Sequence, residues 1–162
     1  MTNPAHDPEL VPPGTRCVIL TGRYSYRGSD RLDITRQGCD RLRAAGNPCP
    51  GEVLAPSHAI LWPAKRALEK ATTDEARGLI FAAYRASYIS ELRDRYRRRE
   101  KEFRALLEAP YQTLVCFCVD ERCCHRVPAA EALAKIGGPA AYYFGECEPR
   151  PSGEPMRVVC VR

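Results

Sequence analysis

The chain has 162 residues, of which 44% are hydrophobic and 28% charged, and its net charge at pH 7 is +5. A chain of this length and balance is expected to fold as one soluble globular domain. No apolar run approaches the length of a membrane span and the N-terminus lacks a signal pattern, so we expect a cytoplasmic protein with no membrane partner. The modest positive charge permits a phosphorylated small molecule or nucleic acid as partner without requiring either.

Cysteine is frequent in this sequence, with nine residues, which is an odd number. In a secreted chain such a count would indicate a disulfide framework, but no export signal is present here. Reduced thiols, a metal site or reactive cysteines are therefore the expected uses.

The N-terminal residues 1–14 contain four prolines and few apolar anchors, and we interpret them as a flexible arm. Residues 15–162 are expected to form a single α/β domain. The apolar run 17–21 predicts a buried strand. Arg23 and Tyr24 follow it, where loops at strand ends commonly carry binding groups, although a surface turn with solvated arginines is an equal alternative.

Residues 31–35 predict a second strand, and the glycines and prolines of residues 36–56 predict a long loop. Ser57 is expected to cap a helix that continues through residue 71. A further helix is predicted over residues 74–108, preceded by a T-x-x-E capping box at Thr72. A straight helix of that length would extend about 50 Å, longer than a domain of this size is wide, so we expect a bend, two helices or an overhanging arm.

The segment 91–102 within this helix contains six basic and four acidic residues. The mixture of signs favours a solvated helix face over a stripe that contacts nucleic acid. A non-catalytic module that contacts nucleic acid or protein through this Arg-rich helix remains the alternative function.

The most informative stretch begins with an apolar strand over residues 113–118 and ends with a helix that starts near Pro128 and stops at Gly137. Glu131 and Lys135 have the spacing of an ion pair on that helix. In a parallel sheet the intervening loop lies at the carboxyl ends of the strands, where ligands bind, and the helix N-terminus favours anions. The polar residues in this loop are Cys118, Asp120, Glu121, Arg122, Cys123, Cys124, His125 and Arg126.

Two further strands are predicted over residues 140–144 and 157–161, the second at the sheet edge. Strands and helices thus alternate through the C-terminal half. This alternation predicts a single three-layer α/β domain with a mainly parallel sheet flanked by helices.

Three hypotheses compete for the cysteine-rich loop. In the first, Arg126, His125 and the helix start bind an anion, and a thiol near the helix end, Cys118 or Cys124, is activated as a nucleophile. In the second, Cys116, Cys118, His125 and either Cys123 or Cys124 bind zinc. In the third, the thiols are buried as small hydrophobic groups, which is typical of Cys17, Cys116 and Cys160. The zinc hypothesis lacks the usual C-x2-C pair, so no metal ligand is assigned and no cofactor is predicted.

The pattern of a strand ending in C-x-C, a short loop and C-H-R at a helix start resembles the domain of unknown function 488 family, in particular its phage and prophage type. Further matching segments are RLDIT at 31–35, LAPSHAIL at 54–61, the helix at 84–97, and FGE at 144–146. The resemblance implies a Rossmann-like α/β domain without an assigned activity. The polar positions that match are Asp33, Ser57, Cys118, Cys124, His125, Arg126 and Glu146.

Asp33, His125, Arg126 and Glu146 all fall at or just beyond predicted strand ends, so a parallel sheet would place them along one rim. We therefore predict a polar cleft that binds, or acts on, a nucleotide or a nucleic-acid end. The predicted catalytic residues are His125, Glu146, Asp33 and Cys124. The predicted ligand-binding residues are Arg126, Cys118, Arg23, Tyr24 and Ser57.

Overall fold

A computed structural model describes residues 11–118, 124–148 and 157–159 of the protein. The strands are β1 (Cys17–Arg23), β2 (Arg31–Asp33), β3 (Tyr111–Cys116), β4 (Ala141–Glu148) and β5 (Arg157–Val159). The helices are α1 (Arg36–Ala44), α2 (His58–Lys70), α3 (Asp74–Leu106) and α4 (Arg126–Gly137), with short 3-10 helices at Pro50–Leu54 and Gly138–Ala140. Much of the predicted flexible arm lies outside the described residues, as do Asp120, Glu121, Arg122, Cys123 and Cys160.

The strands form one sheet in the order β2-β3-β1-β4-β5. The first four strands are mutually parallel, and β5 pairs antiparallel with β4 at the edge. Four helices flank this sheet, so the predicted α/β class and its mainly parallel sheet are confirmed, and the architecture is consistent with a Rossmann-like three-layer fold. None of the helices in the described part of the chain combines the length and apolar character that a bilayer span requires.

Alternation along the central strand β1 separates two apolar clusters. Cys17 and Ile19 belong to the large core under α2, α3 and α4, whereas Val18 and Leu20 belong to a smaller cluster on the opposite face. The large core contains residues from the sheet and from α2, α3 and α4, including the fully buried Leu133 of α4. The sheet therefore positions α4 and α3 relative to the carboxyl ends of β1, β3 and β4.

The prediction of a loop over residues 36–56 is wrong, because this segment contains α1 and a 3-10 helix. Thr35 caps α1 by accepting a hydrogen bond from Gly38 N at 3.0 Å, which offsets the low helix propensity of that glycine. A Cβ at Gly38 would lie 2.2 Å from Asp33 Oδ2, so a larger residue there would displace the Asp33 side chain that orients the cap. Pro50 occupies the first position of the 3-10 helix, where its missing N–H has no cost.

Helix ends differ in detail from the sequence prediction. The cap of α3 is Thr73, whose hydroxyl accepts from Ala76 N at 3.2 Å, and not Thr72. The stop of α4 comes from Gly138, which has a φ of 57° that disfavours other residues, one position after the predicted Gly137. The predicted bend in α3 is confirmed, since Arg99 leaves helical geometry with φ −132° and ψ 35°.

The position of Leu133 in the core gives a stability prediction. Leu133→Ala should lower the free energy of unfolding by about 2–5 kcal/mol, because it leaves a cavity between α4 and the sheet. The matched control is Leu79→Ala on α3, where the leucine is 69% exposed and a change within about 0.5 kcal/mol is expected. Urea unfolding measures both. Equal losses in the two variants would contradict the assignment of Leu133 to the core.

Candidate functional site

Arg126, at the first turn of α4, forms the most buried ion pair of the described chain. Its guanidinium donates to both carboxylate oxygens of Glu146 on β4, from Nε at 3.0 Å and from Nη2 at 2.5 Å. The side chain is 0% exposed, and Nη1 also donates to the carbonyl of Cys118 at 2.8 Å. Thr21 of β1 donates to Glu146 Oε2 at 3.2 Å. The predicted convergence of Arg126 and Glu146 thus exists, but both charges are used inside the protein.

Three cysteines and one histidine meet beside this pair. The ligand atoms of Cys116, Cys118, Cys124 and His125 all lie within 4.8 Å of one another. Cys116 Sγ lies 3.5 Å from Cys118 Sγ and 3.7 Å from His125 Nδ1. β3 ends with Cys116, and α4 begins just after His125, so the cluster joins these two elements. We refer to these four residues as the cysteine cluster.

The thiols of the cysteine cluster have different proton affinities. Hydrogen bonds from the thiols of Cys118 and Cys124 lower the pKa of Cys116 to about 4, although burial opposes this effect. The pKa of Cys118 is raised chiefly by its hydrogen bond to Cys116, and burial raises the pKa of Cys124 well above its usual range. The shifts therefore favour the thiolate form at Cys116 and the protonated form at Cys118 and Cys124, the two thiols predicted as candidate nucleophiles.

His125 is buried with both ring nitrogens engaged. Nε2 lies 3.1 Å from the carbonyl oxygen of Ile34, and Nδ1 faces Cys116. Because a carbonyl only accepts, the hydrogen bond to Ile34 places the proton on Nε2 and leaves the lone pair on Nδ1. Burial lowers the pKa of His125, so the ring is neutral.

Two other predicted site residues have structural partners elsewhere. The carboxylate of Asp33 accepts from Thr35 N at 2.8 Å and from Thr35 Oγ1 at 2.7 Å, which orients the cap of α1. Ser57 occupies the predicted N-cap position of α2, but its Oγ donates to Glu91 at 2.7 Å and accepts no hydrogen bond from the first N–H groups of that helix. Asp33 Oδ2 lies 3.9 Å from Arg31 Nη2, so the contacts found for this carboxylate among the described residues lead to Thr35 and Arg31 and not to Arg126 or Glu146.

A cavity of about 350 Å³ opens beside the cysteine cluster, between the end of β3 and helices α1 and α2. We call it the rim pocket. Of the predicted site residues, only Cys118 and His125 line it. The remaining lining residues are Thr35, Arg36, Gln37, Asp40, His58, Leu61, Trp62, Lys65, Cys116 and Phe117.

Two large aromatic side chains border the rim pocket and remain open to solvent. Trp62 on α2 is 49% exposed, and Phe117 after β3 is 51% exposed. Phe117 stacks on Tyr24 with ring centroids 3.8 Å apart, and the guanidinium of Arg31 lies 4.5 Å from the centroid of the Tyr24 ring. Tyr24 therefore packs against Phe117 and supports it at the edge of the pocket. Arg23 is exposed at the end of β1 and does not line the pocket.

The charged side chains that line the rim pocket differ in how many of their hydrogen-bonding groups are already used within the protein. Arg36 is held by the carbonyls of Pro56 and Ala55 at 2.9 and 3.1 Å, and Asp40 lies 3.1 Å from His58 Nε2. Lys65 Nζ lies over the Trp62 ring at 5.1 Å and takes part in none of the ion pairs found among the described residues. Lys65 is therefore the cation of this pocket that is available to a ligand.

Sequence reasoning missed the residues that α2 contributes to the pocket. His58, Leu61, Trp62 and Lys65 have the spacing of one helix face, which is visible in the sequence. A tryptophan and a lysine one turn apart on an otherwise weakly apolar helix was the available signal. The contribution of Arg36 was missed because residues 36–56 were predicted to form a loop, and a loop has no regular spacing that would place Arg36 beside α2.

Several arginines of the Arg-rich helix pair with acidic residues of the same helix. Arg97 pairs with Asp94 at 3.0 Å, and Arg99 pairs with Glu102 at 2.6 Å. Arg104 similarly contacts Glu100 at 2.7 Å. The predicted solvated face of mixed sign therefore agrees with the contacts in this helix.

Comparison with known proteins gives one family. The family model DUF488-N3a, described as the active DUF488-N3 subclade, matches residues 12–137, which is more than half of the chain. The match includes the cysteine cluster, the rim pocket and Arg126, and it ends before Glu146. No curated protein and no solved structure matches the chain. The phage or prophage setting stays a prediction.

The Arg126–Glu146 pair generates a second stability prediction. Arg126→Met should cost about 3–5 kcal/mol in the free energy of unfolding, because it leaves the Glu146 carboxylate buried without a cation. The double variant Arg126→Met/Glu146→Leu should recover much of this loss, since neither charge remains buried. Urea unfolding at neutral pH measures each variant.

The matched control is Arg85→Met, which removes the partner of Glu131 in an exposed pair 2.7 Å apart between α3 and α4. This change should cost less than about 1 kcal/mol, because solvent screens exposed charges. The same contact shows that Glu131 pairs with Arg85 and not with the predicted Lys135. A loss in Arg126→Met no larger than that in Arg85→Met would contradict the importance of the buried pair.

Proposed function

Because the protein belongs to the DUF488 family, we propose that the matched region carries a working site and that the rim pocket binds a nucleotide or a nucleic-acid end. The description of the matching subclade as active agrees with a functional site there. The proposal rests on one observation, the pair of solvent-exposed aromatic rings, Trp62 and Phe117, on the rim of one cavity. A nucleotide ligand also fits the predicted cytoplasmic location.

Exposed aromatic rings on a cavity are suited to bases. Every base has a flat face that stacks on an aromatic side chain, and each such stack contributes about 1–3 kcal/mol. The only other exposed large hydrophobic residues in the described chain are Leu79 and Tyr142, and neither lines the rim pocket. The exposure of Trp62 and Phe117 is thus concentrated where a ligand would cover them.

Lys65 supplies the complementary charge for a phosphate. Its ammonium group lies over the Trp62 ring, so a base stacked nearby would bring its phosphate within reach of this cation. Asp40 also lines the pocket, but its carboxylate is balanced by Arg36 at 3.5 Å and Arg43 at 3.3 Å. The pocket volume of about 350 Å³ is at the lower end of the range for small-molecule sites, roughly 300–1,000 Å³, and favours a ligand of mononucleotide size.

In this proposal Lys65, and not Arg126, contacts the phosphate. The sequence hypothesis gave Arg126 that role, but its guanidinium is 0% exposed and bonded to Glu146 and Cys118. Arg126 instead supports the turn that forms one wall of the rim pocket. Of the four predicted catalytic residues, His125 alone lines the pocket, and its ring is neutral and already bonded, so we propose binding as the function.

The test is titration with nucleoside monophosphates, the matching nucleosides and short 5′-phosphorylated oligonucleotides. Trp62 is the single tryptophan of the chain, so stacking on it should quench the intrinsic fluorescence directly. Isothermal calorimetry then compares variants. Trp62→Ala should weaken binding about 5- to 150-fold, which corresponds to the loss of one stacking contact. Leu79→Ala is the control and should leave the affinity unchanged.

A second pair of variants tests the phosphate contact. Lys65→Gln should weaken the binding of the monophosphates and reduce the salt dependence of that binding, while the nucleosides bind as before. Lys101→Gln, which changes an exposed lysine of α3, should alter neither the affinity for the monophosphates nor its salt dependence. If no member of the panel quenches Trp62, the proposal is wrong. Salt-dependent binding that survives Trp62→Ala but is lost in Arg97→Glu/Arg98→Glu would assign the function to the Arg-rich helix instead.

A further inference from the structure

We infer that the cysteine cluster is a zinc site, with Cys116 Sγ, Cys118 Sγ, Cys124 Sγ and His125 Nδ1 as its four ligands. This inference does not rest on the proposed function, because the four residues converge whether or not the rim pocket takes a nucleotide. The set combines three soft sulfur ligands with one imidazole, which is a typical composition for structural zinc.

The spacing of the donor atoms fits a single tetrahedral ion. Zinc binds sulfur at about 2.3 Å and nitrogen at about 2.0 Å, so neighbouring ligand atoms in a tetrahedron lie about 3.5–3.8 Å apart. Cys116 Sγ is 3.5 Å from Cys118 Sγ and 3.7 Å from His125 Nδ1. All four donors lie within 4.8 Å of one another, so small side-chain adjustments suffice to close the site.

The surroundings of the cluster orient these ligands. The hydrogen bond from His125 Nε2 to the Ile34 carbonyl directs the Nδ1 lone pair at the thiols, which is the usual outer contact of a zinc-bound histidine. The backbone N–H of Arg126 lies 3.5 Å from Cys124 Sγ, and its Nη1 lies 3.6 Å from the same sulfur. N–H groups at this distance favour a thiolate over a thiol.

Charge also favours a metal ion at this position. Zinc binding releases the thiol protons to solvent, and three thiolates with one zinc ion leave one net negative charge. The guanidinium of Arg126 lies beside this charge, with Nη1 3.6 Å from Cys124 Sγ.

Because all four positions are filled by protein atoms, the site is closed and its role is structural. The ligands join the end of β3 to the start of α4, and three of them, Cys116, Cys118 and His125, also line the rim pocket. Zinc would therefore fix the wall of the pocket that lies next to Phe117.

The test begins with zinc loading of the reduced full-length protein, removal of free metal, and elemental analysis. We expect about one zinc per chain, and replacement by Co²⁺ should give the intense visible bands of a tetrahedral thiolate site. Cys118→Ser, which changes the most accessible of the four ligands, should lower the affinity for zinc at least tenfold. The control Cys49→Ser removes a partly buried cysteine outside the cluster and should bind zinc as the unmodified chain does.

A chemical protection measurement covers the case in which a ligand variant fails to fold. In the unmodified protein, zinc should slow alkylation of Cys118 at least tenfold, and chelation should reverse this, while the rate at Cys49 stays constant. Absence of stoichiometric zinc after loading, or equal zinc content and equal alkylation with and without chelator, would overturn the inference. Trp62→Ala should retain zinc while it loses nucleotide affinity, so the two proposals fail separately.

Discussion

The site region depends on one buried interaction, the ion pair of Arg126 with Glu146. Arg126 begins α4, Glu146 lies on β4, and the same guanidinium holds the carbonyl of Cys118 beyond the end of β3. A buried charge with all its partners in place is costly to disrupt, because each partner would be left without compensation. This pair therefore determines where α4 starts, and with it the positions of Cys124 and His125.

The long helix α3 is the second constraint, and it acts on the opposite side of the rim pocket. Arg95 donates to the carbonyls of Val53 and Ala55 at 2.8 and 2.7 Å and is paired with Glu91 on its own helix. Glu91 in turn binds Ser57, and Tyr88 donates to the Leu54 carbonyl at 2.5 Å. These contacts attach the 3-10 segment and the start of α2 to α3. Part of the charge on the Arg-rich helix is thus used to place α2, the helix that carries Trp62 and Lys65.

These contacts leave the rim pocket between two walls, the first formed by the end of β3 and His125 and the second by α2. A zinc ion in the cysteine cluster would strengthen the first wall, and a ligand would contact Phe117 on that wall and Trp62 and Lys65 on the second. The buried ion pair does not line the cavity, because Arg126 and Glu146 support the site from within the core. Under the proposed function the ligand would face aromatic rings and one lysine, whose chemistry suits stacking on a base with a nearby phosphate.

The sequence by itself determined the fold class, the parallel core strands and the importance of the C-H-R turn, because hydrophobic periodicity and helix-start signals are local properties of the chain. It also placed Cys116, Cys118, Cys124 and His125 close enough to suggest a metal site. Only the tertiary structure decided that Arg126 turns inward to Glu146 and that Asp33 serves a helix cap, since a charged side chain at a strand end faces either core or solvent according to its partners. The rim pocket likewise depends on α1 and α2 meeting β3. Contacts between segments so far apart along the chain leave no pattern of spacing in the sequence.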